Sequence, residues 1–130
     1  DDDFVGWLAD LPLQKVVVLH ANHANELDAG VDAACARLRA AGATVLNQSV
    51  LLRGINDDAE VLAELSERLF AAGVLPYYLH QLDRVHGTAH FEVGDTRALA
   101  LMETLRARLP GYLVPRLVRE VGGDASKRPL

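Results

Sequence analysis

One cysteine, one tryptophan and two lysines among 130 residues are the scarcities that first limit what this chain can be. The lone Cys35 excludes an internal disulfide framework, and it excludes an iron–sulfur cluster ligated by this chain alone. Long apolar runs are missing too: stretches such as Val16-Val17-Val18-Leu19 fall far short of the roughly 18 residues of a membrane span. No basic, apolar leader opens the chain, so a cytoplasmic protein without a membrane partner is the expectation. Thirteen Lys and Arg against 18 Asp and Glu leave a net charge of -5, which argues against a nucleic-acid partner. What is present is ordinary for a folded domain, with half the residues hydrophobic and 24% charged. A chain of this length holds one core, so residues 1–130 are read as a single domain.

A regular rhythm organises most of that domain. After an uneven N-terminal arm (1–14), where Phe4, Val5, Trp7 and Leu8 suggest a short helix, Val16 to Leu19 reads as a buried parallel strand. Asp28 can cap a helix with Val31, Ala34, Cys35 and Leu38 on one face, ended by Gly42. Thr44-Val45-Leu46 predicts the next strand. Asn56-Asp57-Asp58 supplies the next cap, Val61, Leu62, Leu65 and Leu69 the next stripe, and Gly73 its close. A third strand is expected over 74–79, and a third helix from Asp95 to Leu109 with Leu99, Met102 and Leu105 inward. Tyr112 to Val118 reads as extended. Strands recurring about every 30 residues, with helices between, mean a parallel α/β architecture. About three such units are too few for a closed barrel of eight and would leave strand edges unpaired. The chain therefore reads as part of something larger, its edges also open to homo-oligomers, or as a small open α/β domain.

Polar side chains gather where the strands end, which is where parallel α/β folds carry their chemistry. The first cluster holds His20, Asn22, His23, Asn25 and Glu26. The second holds Asn47, Gln48 and Ser49, followed by Arg53 and Asp57, and the third His80, Gln81, Asp83, Arg84, His86 and His90. Each has a plainer reading. His20 and His23, three apart on an extended segment, point apart and fit structural histidines better than a metal pair. Asn25-Glu26 and Asp57-Asp58 suit helix caps. Asn47 and Gln48 can only hydrogen-bond, to phosphate, carboxylate or backbone. Asp83 suits a general base, a cation partner or a loop cap. Lys127 stands out because eleven arginines accompany only two lysines, and lysine alone can lose its proton and condense with an aldehyde. Its plain alternative is a surface lysine on a frayed terminus.

Read in order, these residues resemble the lysine 2,3-aminomutases, which are radical S-adenosylmethionine enzymes that also use pyridoxal phosphate. The resemblance is carried by residues 20–26 (HANHANE), 47–57 (NQSVLLRGIND), 76–79 (PYYL), Asp83, His90-Phe91, Gly111-Tyr112, Val114-Pro115, Gly122-Gly123 and Lys127. Residues 78–85, 111–115 and Ser126-Lys127 are similar to the bacterial branch that makes β-lysine for elongation factor P. The resemblance implies the C-terminal part of a partial (β/α) barrel with a lysine-bearing terminal segment over 119–130. It places Lys127 at the position that carries pyridoxal phosphate. Asp83 and Glu120 fall where two carboxylates hold the ε-ammonium of substrate L-lysine, with Glu120 standing where clostridial-type enzymes commonly have Asp. Asn47 and Gln48 fall near the pyridoxal phosphate, and His20 and Asn22, with His23, toward the adenosyl side. His80 replaces a tyrosine of the clostridial-type enzymes.

One departure limits the reading. The family binds its [4Fe-4S] cluster through a Cys-x3-Cys-x2-Cys loop, and this chain has only Cys35, so no metal site is expected within it. The expectation is an isomerase portion, inactive alone, whose partners are L-lysine, the N-terminal part of the barrel and, functionally, the elongation factor P ligase. A stand-alone, non-catalytic ligand-binding module is the alternative. A metal-dependent hydrolase or aldolase built on His20, His23, Asp83 and His90 ranks third.

Overall fold

The structure, a computed structural model, describes residues 2–82, 89–120 and 127–129. β-Branched Val16, Val17 and Val18 favour an extended chain and form β1 (Lys15–Leu19). Asp28 starts α2 (Ala29–Ala40) by accepting the Val31 N–H at 2.9 Å. Asp58 starts α3 (Ala59–Ala71) in the same way, accepting from Glu60 and Val61. Gly73 closes α3 at φ 78°, a left-handed conformation that a Cβ disfavours. Between and beyond these lie β2 (Ala43–Leu51), β3 (Leu75–Gln81), α4 (Asp95–Arg108) and β4 (Arg116–Glu120). The arm forms α1 (Asp2–Asp10), which buries Leu8. It is tied down by Lys15, whose Nζ donates to the carbonyls of Ala9 and Ala41 at 3.3 and 3.0 Å.

β1, β2, β3 and β4 are parallel and neighbour one another in chain order, and a short β5 (Lys127–Pro129) returns antiparallel along β4. The helices cover one face. Leu51, Leu79 and Leu117 pack with Leu62 and Ala63 of α3 and with Ala98, Leu101, Met102 and Leu105 of α4. Val45 packs with Cys35 of α2 and with Leu65 and Leu69 of α3. Sequential parallel strands with helices on a single face are successive units of a β/α barrel; a doubly wound sheet would carry helices on both faces. The opposite face is open, and Val16 on β1 is 60% exposed there. Among the described residues no helix is long and apolar enough to cross a membrane.

Four local expectations change. β2 runs to Leu51 rather than stopping at Leu46, because the polar side chains of Asn47 and Ser49 at its inward positions are satisfied within the fold. The inward stripe of α4 is Ala98, Leu101, Met102 and Leu105, whereas Leu99 is 45% exposed. Residues Gly111–Leu113 form a 3-10 turn before β4 rather than extended chain. The terminal segment contributes β5, so Lys127 lies on a paired strand rather than a frayed end.

Candidate functional site

β1 stops four residues before β2 does in their shared register, which exposes backbone groups of β2 at the C-terminal rim of the sheet. Three asparagines fill that gap. Asn47, 1% exposed, accepts the Ala21 N–H at 2.9 Å and donates to the Ala21 carbonyl at 3.0 Å, as a paired strand would. Asn22 Oδ1 accepts the Val50 N–H at 2.9 Å. Asn56 Nδ2 donates to the carbonyls of Val50 and Asn22 at 2.9 and 2.8 Å, while its Oδ1 accepts the Leu52 N–H at 2.8 Å. Buried backbone polar groups need partners, and these amides supply them. The turn leading off β1 is held by Glu26, whose Oε2 accepts the N–H of both Asn22 and His23 at 2.7 Å, and by His23 Nδ1, which accepts from Asn25. Glu26 thus caps its own 3-10 turn (Ala24–Glu26), and the α2 cap belongs to Asp28.

The open face carries a second polar group. Strand periodicity puts Gln48 on the face opposite Asn47, where its Oε1 lies 3.1 Å from His80 Nε2. The His80 ring meets Tyr78 edge-on at 5.7 Å, and Tyr77 and Tyr78 are in ring contact at 4.4 Å. β3 has one extra residue against β2 here, since Asn47 pairs with Pro76 and Gln48 with Tyr78. His20 follows β1 directly and is exposed.

At the ends of β3 and β4 a third group forms. Gln81 Nε2 donates to the Val93 carbonyl at 2.7 Å and to Asp95 Oδ1 at 2.8 Å. The same Asp95 oxygen accepts from the Arg119 guanidinium at 3.0 Å. Arg53 ties the loop after β2 to the neighbouring 3-10 turn (Ala89–Phe91), donating to the His90 carbonyl at 2.7 and 3.1 Å. Glu120 ends β4 and pairs in register with Lys127 of β5. Asp83, Arg84, His86 and the Gly122-Gly123 pair lie outside the described residues.

Of the residues singled out from sequence, Asn22 and Asn47 meet at one rim, Gln48 and His80 share the open face, and Glu120 and Lys127 are strand partners. His20 is exposed where β1 ends. Sequence reading missed Asn56, which it took with the Asp57-Asp58 cap, and the Gln81–Asp95–Arg119 group. A polar residue at a buried alternate position of a strand, as at Gln81, was the available signal.

Cys35 is 1% exposed on α2, and burial pushes its thiol up, away from the thiolate that metals bind. Among the described residues no group of three His, Cys, Asp or Glu side chains could hold a metal ion. Lys15 Nζ is committed to the carbonyls of Ala9 and Ala41.

No family model matches the chain. Among curated proteins, it is 57% identical over 118 residues to the L-lysine 2,3-aminomutase of Escherichia coli, covering 91% of this chain and 34% of that protein. It is 49% identical to the Haemophilus influenzae protein of that name (97% and 37% covered) and 40% identical to the Clostridium subterminale one (85% and 27%). Among solved structures it is similar to a radical SAM methyltransferase from Sphaerobacter thermophilus. That likeness has a TM-score of 0.62 at 25% identity, over 95% of this chain and 39% of the other. The chain is a homologue of the lysine 2,3-aminomutases, and it spans about a third of the length of the curated relatives it matches.

Proposed function

We propose that this chain is the C-terminal, pyridoxal-phosphate- and lysine-binding part of an L-lysine 2,3-aminomutase that makes β-lysine for elongation factor P. The observation that carries the reading is the level and extent of the match, 57% identity over 91% of the chain, to a relative bearing that name. Support from the fold is the barrel-segment arrangement, with polar groups at the strand ends and on the open face, and a lysine-bearing strand paired with β4.

In this reading Lys127 holds pyridoxal phosphate, and Asp83 and Glu120 bind the ε-ammonium of the substrate; a desolvated cation needs paired negative charge. Gln48 lies near the pyridoxal phosphate, with His20 and Asn22 on the adenosyl side. Asn47, on the opposite face and fully engaged with Ala21, acts by fixing the rim rather than by touching a ligand. When bound, pyridoxal phosphate permits the amino group to migrate between adjacent carbons, and S-adenosylmethionine with the [4Fe-4S] cluster supplies the radical chemistry. Lys127 Nζ must shed its proton to react with the aldehyde. The cluster ligands come from outside this chain, so the chain alone turns over no lysine.

The test is borohydride trapping. Incubation with pyridoxal phosphate, reduction and peptide mapping should place the adduct on Lys127, saturably, with Lys15 unlabelled and Lys127→Ala unlabelled throughout. Equal labelling of both lysines, or none at Lys127, would contradict the reading.

A further inference from the structure

We propose that Asp95 is a positioning residue for the Glu120–Lys127 strand pair. The proposal rests on the functional reading above only for what that pair does, not for how it is held. Asp95 opens α4, and one of its carboxylate oxygens takes two donors from two strands: Gln81 Nε2 of β3 at 2.8 Å and the Arg119 guanidinium of β4 at 3.0 Å. Gln81 is buried, and its second donor contact, to the Val93 carbonyl at 2.7 Å, anchors the segment leading into α4. A single oxygen thus ties the end of β3, the start of α4 and the end of β4 together.

Its leverage lies in what borders it. The β3–β4 ladder pairs only Tyr78 with Arg116, Leu79 with Leu117 and His80 with Val118. Arg119 and Glu120 extend beyond that ladder, held on the other edge by β5. Arg119 pairs there with Arg128 and Glu120 with Lys127, and the Asp95 contact ties Arg119 back toward β3. β5 is three residues long, at the short end of the usual range for a strand. Loss of the Asp95 charge should loosen β4 and β5 together at this end and leave the β1–β2 rim alone.

The experiment compares amide hydrogen exchange in the wild-type chain, Asp95→Asn, which keeps a hydrogen-bond acceptor without the charge, and Asp95→Ala. Arg119→Gln removes the same contact from the β4 side in case the Asp95 variants fold poorly. Expected is faster exchange at Arg119, Glu120, Lys127 and Arg128, by roughly two- to fivefold for the loss of a partly exposed ion pair. Residues 43–51 should be unchanged, and Asp95→Glu should restore part of the protection. The pyridoxal phosphate concentration that half-saturates Lys127 should rise by a similar factor. Wild-type exchange at these four positions in both Asp95→Ala and Arg119→Gln overturns the proposal. If the wild type fails to capture pyridoxal phosphate, the functional reading falls, while the exchange comparison still decides the role of Asp95.

Discussion

Asn47 and Gln48 carry the same side-chain amide one residue apart and have opposite surroundings. Asn47 is buried with both amide atoms on the Ala21 backbone, whereas Gln48 is half-buried on the open face beside His80. Removing the first strands two buried backbone groups; removing the second strands none. Asn47→Ala should destabilise the chain by about 2–3 kcal/mol, and Gln48→Ala should stay within about 0.5 kcal/mol, both read from urea midpoints. Equal losses would mean that the two amides share one role. At this scale the sequence announced that amides stood here but not which way each faced. Their division depends on β2 continuing through them, and a run of Asn, Gln and Ser looks like the end of a strand. The scarcity of lysine singled out Lys127 and a likeness to known enzymes Glu120, but their strand pairing was not legible, since no local pattern signals β5.

At the scale of elements, helices were the more legible. Asp28 and Asp58 cap where their position before an apolar stripe predicts. Leu62, Leu65 and Leu69 go inward because α3 is amphipathic, while α4 misled at Leu99 because alanines and leucines lie on several of its faces. The pairing between helices was not legible. Asp32 of α2 receives a two-pronged bond from Arg68 of α3 at 2.8 and 2.9 Å, a contact 36 residues apart in sequence. Hydrogen bonds from that guanidinium hold the Asp32 carboxyl below its ordinary value. A lowered folded-state pKa stabilises fully above the unfolded carboxylate's value and is lost as pH falls through the folded one. Asp32→Asn should therefore lower the urea midpoint at about pH 7 and converge on wild type once the pH falls below the ordinary carboxylate range and the carboxylate protonates. A difference that is constant across that range would rule out the charge as its source.

The molecule as a whole is a run of barrel units: four parallel strands in chain order, helices outside, and an inner face left open. The α/β class and the three-unit count follow from strand spacing alone. That the helices share one face does not, because spacing fits a doubly wound sheet equally well; only the packing decides. The open inner face, with exposed Val16 and the half-buried Gln48–His80 pair, is what a barrel segment presents. The central claim, that this chain is the cofactor-holding part of a radical aminomutase, is tested most directly by reading the native gene on the 5′ side of the Asp1 codon. The account predicts an in-frame Cys-x3-Cys-x2-Cys loop in a reading frame long enough for the other two-thirds of the relatives' length. A start codon close to Asp1, with no such loop upstream in frame, would contradict it.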